Sequence, residues 1–189
     1  MNFVFLPATE PGDQNYGSVP EQIDQLPGST LHTIQFPHLV WYNPDIQEEA
    51  IRQIRELNLE SIILIGFSKS GLGAWNISRQ IPERVTATII FDSPMSRQTL
   101  PTWGTAPFYP DDATWQADSP INSIDHFCRS VKPDHQLVLI SSTAFHEEME
   151  DLSTALRDKN FPHSFLSCPH FKHHWNSGWL KKGVAEIGN

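Results

Sequence analysis

The chain has 189 residues, 39% hydrophobic and 19% charged, which is enough for one domain with a substantial core and too apolar for a disordered segment. With a formal net charge of −9, neither nucleic acid nor an acidic membrane surface is expected as a partner. No run approaches the ~20 apolar residues that span a bilayer, M-N-F-V-F-L-P lacks the basic flank and the length of a signal peptide, and Cys128 and Cys168 form neither a metal pair nor a disulfide framework, so a reducing, cytoplasmic setting is the expectation.

Asn2 to Leu6 reads as a buried strand that ends at Pro7. A polar stretch rich in Gly and Pro follows to Gly28, with a short helix expected around Glu21 to Leu26, and Leu31 to Phe36 is a second strand candidate. Asn43-Pro44 marks a helix start. Asparagine suits the N-cap, and proline suits the first helical position because its missing N–H would have no partner there. Ile46, Ala50, Ile51, Ile54 and Leu57 then form an apolar stripe at helical spacing. Ser61 to Ile65 is a strand, and the helix opened by Gly71 and Gly73 stops before Pro82. Val85 to Phe91 is a strand with apolar residues on both faces. Met95 to His135 breaks the rhythm. It is rich in Pro, Trp and Asp, and reads as an irregular, lid-like insertion whose aromatics, Trp103 to Trp115, would shape an apolar pocket. Leu137 to Ile140 resumes the sheet, Glu147 to Lys159 is a helix, and Ser164 to Ser167 is a last strand. The pattern predicts a single α/β domain over 1–189: an open, mostly parallel sheet of about six strands with helices on both faces.

The chemistry concentrates at Ser61 to Asn76, S-I-I-L-I-G-F-S-K-S-G-L-G-A-W-N. A buried strand turning sharply into a helix, with serine at the turn, is a place for a nucleophile. The residues two before and two after it must be small, because the backbone crosses itself there. Those positions are Gly66 and Ser70 for Ser68, but Ser68 and Leu72 for Ser70. Ser68 is therefore the candidate, with serine standing where glycine is usual in G-x-S-x-G. The helix directs its N-terminal N–H groups at the site. The Lys69 N–H is one expected oxyanion donor, and Ala8 or Thr9, after the first strand, supplies the second. The run is not a phosphate-binding P-loop, because Leu72 and not lysine follows Gly71.

G-F-S-K-S-G-L-G-A resembles the elbow of the α/β-hydrolase superfamily, especially its small esterase-like members. D-S-P-I at Asp118 to Ile121 and C-P-H-F-K-H-H-W at Cys168 to Trp175 resemble further stretches of that family, and the likeness runs from about residue 2 to 180. The resemblance implies a serine hydrolase acting on an ester or thioester through an acyl-enzyme on Ser68. It makes His173 the base, two residues before Trp175, with His174 as close rival and His170 third. It places the acid after the penultimate strand, where Ser142 to Phe145 holds no carboxylate. Asp92, one strand earlier in F-D-S-P, is preferred, with Glu147 as alternate. Zinc on the three histidines is a weaker reading, since adjacent His173 and His174 diverge on an extended chain. The expected partner is a small acyl substrate, with no metal or cofactor. The missing carboxylate and Ser70 leave a catalytically impaired binding protein as the alternative.

Overall fold

A computed structural model describes residues 1–8, 28–36, 40–102, 108–174 and 177–187. The predicted helix around Glu21 to Leu26, together with Thr9, Trp103 and Trp175, lies outside these residues. Six strands, β1 (Asn2–Leu6), β2 (Thr30–Thr33), β3 (Ile62–Phe67), β4 (Val85–Phe91), β5 (Gln136–Ser141) and β6 (Ser164–Ser167), form one sheet in the order β2-β1-β3-β4-β5-β6. Every neighbouring pair is parallel. β2 is shorter than the Leu31 to Phe36 expectation: Ile34 and Phe36 are buried but lie beyond the last pairing with β1.

The helices are α1 (Pro44–Glu56), α2 (Lys69–Gln80), α3 (Asp112–Asp118), α4 (Ile124–Ser130), α5 (His146–Asp158) and α6 (Trp179–Val184). α1 begins as its sequence dictates, with the Asn43 side chain accepting from the Ile46 N–H at 3.0 Å and proline following. Alternate strand residues feed two cores, one on each face of the sheet. Val4, Leu64, Ile90 and Leu139 pack with Ala50, Trp75, Phe127 and Leu152 from α1, α2, α4 and α5. Phe5, Ile65, Phe91 and Ile140 pack on the opposite face with Trp179 and Leu180 of α6. Both faces are dry, which is why the central strands read as unbroken apolar runs. No helix among the described residues is long and apolar enough to cross a membrane.

The stretch 95–135 differs from the irregular insertion expected of it. It contains α3 and α4, each seven residues long, too short for helical periodicity to register in the sequence. α3 is started by the Asp111 side chain, which accepts from the Thr114 N–H at 2.7 Å. Trp115 and Tyr109 are buried against Trp41 and Leu72, and Phe127 stacks on Trp75 at 3.8 Å between centroids. These rings are core, not the lining of an open pocket. Asp118 ties the segment down: its carboxylate accepts from Gln47 at 2.6 Å and pairs with Arg79 at 3.1 Å, and its carbonyl accepts from Asn76.

The strand ends set the stage for chemistry. Backbone pairing continues one residue past each strand: Ser68 N–H donates to Phe91 O, Asp92 N–H to Ile140 O, and Cys168 N–H to Ser141 O, at 3.0, 2.8 and 2.7 Å. Ser68, Asp92 and Cys168 therefore stand side by side at the C-terminal edge. Strand order reverses direction at β1 and β3, which opens a crevice beyond their carboxyl ends. Ala8 follows β1 there and Ser68 follows β3.

Candidate active site

Ser68 links β3 to α2 with φ 55° and ψ −125°, a conformation that costs a non-glycine residue on the order of 1–3 kcal/mol and persists only where the surroundings enforce it. Three contacts enforce it here. Gly66 passes so close to the Ser70 carbonyl that any Cβ would overlap it. The Ser70 hydroxyl bridges the turn, accepting from the Phe67 N–H at 2.8 Å and donating to the Phe67 carbonyl at 2.9 Å. Ser93 Oγ donates to the Ser68 carbonyl at 2.6 Å and occupies the space a Cβ on Gly71 would need. Serine at position 70 is thus a working part of the turn, satisfying two backbone groups that glycine would leave to other partners.

His173 lies in the loop after β6. Its Nε2 is 3.2 Å from Ser68 Oγ, and its Nδ1 is 2.6 Å from Asp92 Oδ2. The Asp92 side chain is fully buried at the end of β4 and the His173 side chain is 28% exposed. An ionised carboxylate can only accept, so Nδ1 carries the imidazole proton and Nε2 is left to accept from the Ser68 hydroxyl. The imidazole is wedged between Phe67 and Phe145, at 4.9 and 5.2 Å between centroids. Its loop is clamped by Trp179, whose indole N–H lies 3.2 Å from Lys172 O and 3.0 Å from His174 O, the carbonyls on either side of His173.

Asp92 is held by more than the histidine. Its Oδ1 accepts from the Ser142 N–H at 2.8 Å and its Oδ2 from the Ser142 hydroxyl at 2.6 Å. Burial pushes the Asp92 carboxyl upward, but the hydrogen bonds from His173 and Ser142 together outweigh it and keep the carboxyl below its ordinary range. Ser142 stands in the loop after β5, where the resemblance placed an acid. It contributes two donors to the Asp92 carboxylate of the neighbouring strand instead.

The remaining candidates fall elsewhere. Glu147 is exposed in the first turn of α5, and the carboxylate at hydrogen-bond distance from His173 is Asp92. His174 turns away: its Nε2 lies 3.5 Å from Ser177 Oγ, and its buried Nδ1 has no partner among the described residues. His170 is exposed and packs edge-on against Phe171. Both ring nitrogens of His173 face Ser68 and Asp92, which leaves neither aimed at the other two histidines. Lys69 and Ala8 are 6% and 2% exposed, at the start of α2 and just after β1. The first N–H groups of a helix have no intrahelical acceptor, so the Lys69 N–H is available to a ligand.

Reading the sequence alone missed Ser93, Ser142 and Trp179. The first two had a signal, a small hydroxyl residue at the end of a predicted strand beside a candidate acid. Trp179 had none, because its role depends on where α6 returns to the sheet.

No family model matches the chain, and no curated protein matches it by sequence. Solved structures do. The fluorophosphonate-binding serine hydrolase FphF of Staphylococcus aureus superposes with a TM-score of 0.68 at 12% identity, over 100% of this chain and 84% of that one. An S-formylglutathione hydrolase from Agrobacterium tumefaciens gives 0.67 at 13%, over 99% and 84%. An alpha-beta hydrolase from Vibrio vulnificus gives 0.61 at 13%, over 98% and 74%. At such identities the likeness is one of architecture, and it agrees with the sheet order, the elbow and the loops described above: the chain has the α/β-hydrolase fold.

Proposed function

We propose that the protein is a serine hydrolase that cleaves a small ester or thioester through an acyl-enzyme on Ser68. The observation that carries this reading is the unbroken chain of contacts from Ser68 Oγ through His173 to the buried Asp92. His173 Nε2 takes the hydroxyl proton as Ser68 Oγ bonds to the substrate carbonyl carbon. Asp92 holds the imidazole in the required tautomer and stabilises the imidazolium. The Lys69 and Ala8 N–H groups receive the oxyanion, each such donor contributing roughly 10²–10³ in rate. Collapse of the tetrahedral species passes the proton from His173 to the leaving oxygen or sulfur. Water, deprotonated by the same nitrogen, then releases the acid and restores Ser68.

The structural neighbours described as serine hydrolases support this reading. The two departures that favour an impaired binding protein both have structural explanations: Asp92 supplies the carboxylate missing after β5, and Ser70 closes the elbow. Cys128 and Cys168 are free thiols, which fits action in the cytoplasm. A fluorophosphonate probe tests the proposal. Covalent labelling mapped to Ser68, lost in Ser68→Ala together with hydrolysis of p-nitrophenyl acetate, is the expected result. A folded wild-type protein that the probe leaves unlabelled would overturn it.

A further inference from the structure

Lys69, the residue after the candidate nucleophile, is unusual for a lysine. It is only 6% exposed, whereas lysines are rarely buried without a paired charge. Its Nζ lies over the Trp41 ring, 5.5 Å from the centroid. No carboxylate pairs with it among the described residues, where every salt bridge involves other cations. The burial has a measurable consequence: desolvation brings the ammonium pKa down to about 8, with no neighbouring carboxylate opposing it.

The position of this cation is fixed from two sides. Trp41 is fully buried and packs edge-on against Trp115 at 5.9 Å. The next residue, Tyr42, donates its hydroxyl to Pro7 O at 2.7 Å, which anchors the segment beside Ala8. Lys69 is the first residue of α2, directly after Ser68, and its ammonium is held against the Trp41 ring. A desolvated charge with no carboxylate partner among the described residues and a side chain already held in place is a binding determinant, because a ligand charge there completes the pair without the cost of freezing a mobile side chain.

We propose that the Lys69 ammonium is the specificity determinant of the site and selects acyl substrates that carry a carboxylate in addition to the scissile bond. The inference takes the hydrolase reading of Ser68 as its starting point. A single point-charge cation suits a monoanionic carboxylate better than a phosphate dianion, which recruits several donors. An overall charge of −9 would repel such substrates, so local recognition has to come from a placed cation.

The test compares matched esters: monomethyl glutarate against methyl pentanoate, with the charge on the acyl side, and 4-acetoxybenzoate against phenyl acetate, with the charge on the leaving group. The readout is the ratio of kcat/KM within each pair, which cancels any general change in activity. Wild type is expected to favour the charged member of one pair by about tenfold or more, the scale of a hydrogen bond to a charged group. Lys69→Met should bring that ratio to about one and Lys69→Arg should keep most of it, with the loss in KM more than in kcat. Equal ratios in wild type and Lys69→Met would overturn the inference.

A second arm does not depend on turnover. Glutarate binding to Ser68→Ala, followed by NMR titration, should weaken about tenfold or more when Lys69→Met is added. Glutarate bound through Lys69 by a protein that cleaves no ester would overturn substrate selection together with the hydrolase reading, and would leave only carboxylate binding at Lys69. Esters cleaved without regard to Lys69, with glutarate binding unchanged by its loss, would do the reverse.

Discussion

Ser142→Ala is the sharpest probe of how the acid is held. The substitution removes one of three donors to a carboxylate that is fully buried, leaving the Ser142 N–H and the His173 Nδ1–H. The hydroxyl also accepts from the Ala144 N–H at 3.1 Å, but Ala144 is exposed and water can replace that bond. A hydrogen bond to a charged group contributes about 1.5–3 kcal/mol, so unfolding free energy near neutral pH should fall by about that amount. For a domain of this size the melting temperature should drop by roughly 3–12 °C.

The sign of the pH dependence follows from the depressed Asp92 pKa. A carboxyl held below its unfolded value, about 3.9, contributes stability that is present above that pH and lost as pH falls through the folded value. Ser142→Ala raises the folded value, so the gap between wild type and variant should be constant from pH 8 downward and close only in the acid carboxylate range. Urea denaturation from pH 8 down to about pH 2 measures it. A stability loss below about 0.5 kcal/mol, or a gap of the same size throughout that range, would refute the argument.

Three further outcomes are expected. His173→Ala should lower kcat for a p-nitrophenyl ester by about 10²–10⁴, while His174→Ala, whose ring faces Ser177, should change it by less than about fivefold; steady-state kinetics of the purified variants decides. Ser70→Gly restores the residue more usual at an elbow, yet it strips the Phe67 N–H and carbonyl of their partner and adds a glycine to a helix, so it should destabilise by about 2–4 kcal/mol in urea titration. Trp179→Phe keeps an aromatic ring in the core but removes the N–H that clamps Lys172 O and His174 O. It should lower kcat by about 10- to 100-fold with a much smaller relative effect on the melting temperature, since small displacements of a catalytic group are costly.

The parts of this molecule that sequence makes legible are those governed by local sterics. The elbow is one: only a small residue fits at 66 and at 70, so Ser68 could be preferred to Ser70 before any coordinates. The start of α1 is another, since Asn43 and Pro44 each act within four residues of themselves. The acid was harder, because Asp92 and Glu147 both follow Ser68 and precede His173, so chain order does not separate them. What does is the register of β4 against β3 and β5, which sets Asp92 beside Ser68 and leaves Glu147 exposed on α5. The helices of 95–135 were missed because seven residues make two turns, and their burial is decided by docking onto α1 and α2, where Asp118 meets Gln47 and Arg79. The resemblance preferred His173 as candidate base with His174 as its rival, and the loop held by Trp179 of α6 brings His173 to Ser68 and turns His174 toward Ser177.

One oxygen of Asp92 is shared between two loops. Asp92 Oδ2 sits 2.6 Å from both Ser142 Oγ and His173 Nδ1, so the two strand ends reach the same few cubic ångströms from opposite directions. A carboxylate on β5 with a hydroxyl on β4 would fill that volume with the same atoms in exchanged ownership. The position of the negative charge is therefore a property of the place and not of the strand.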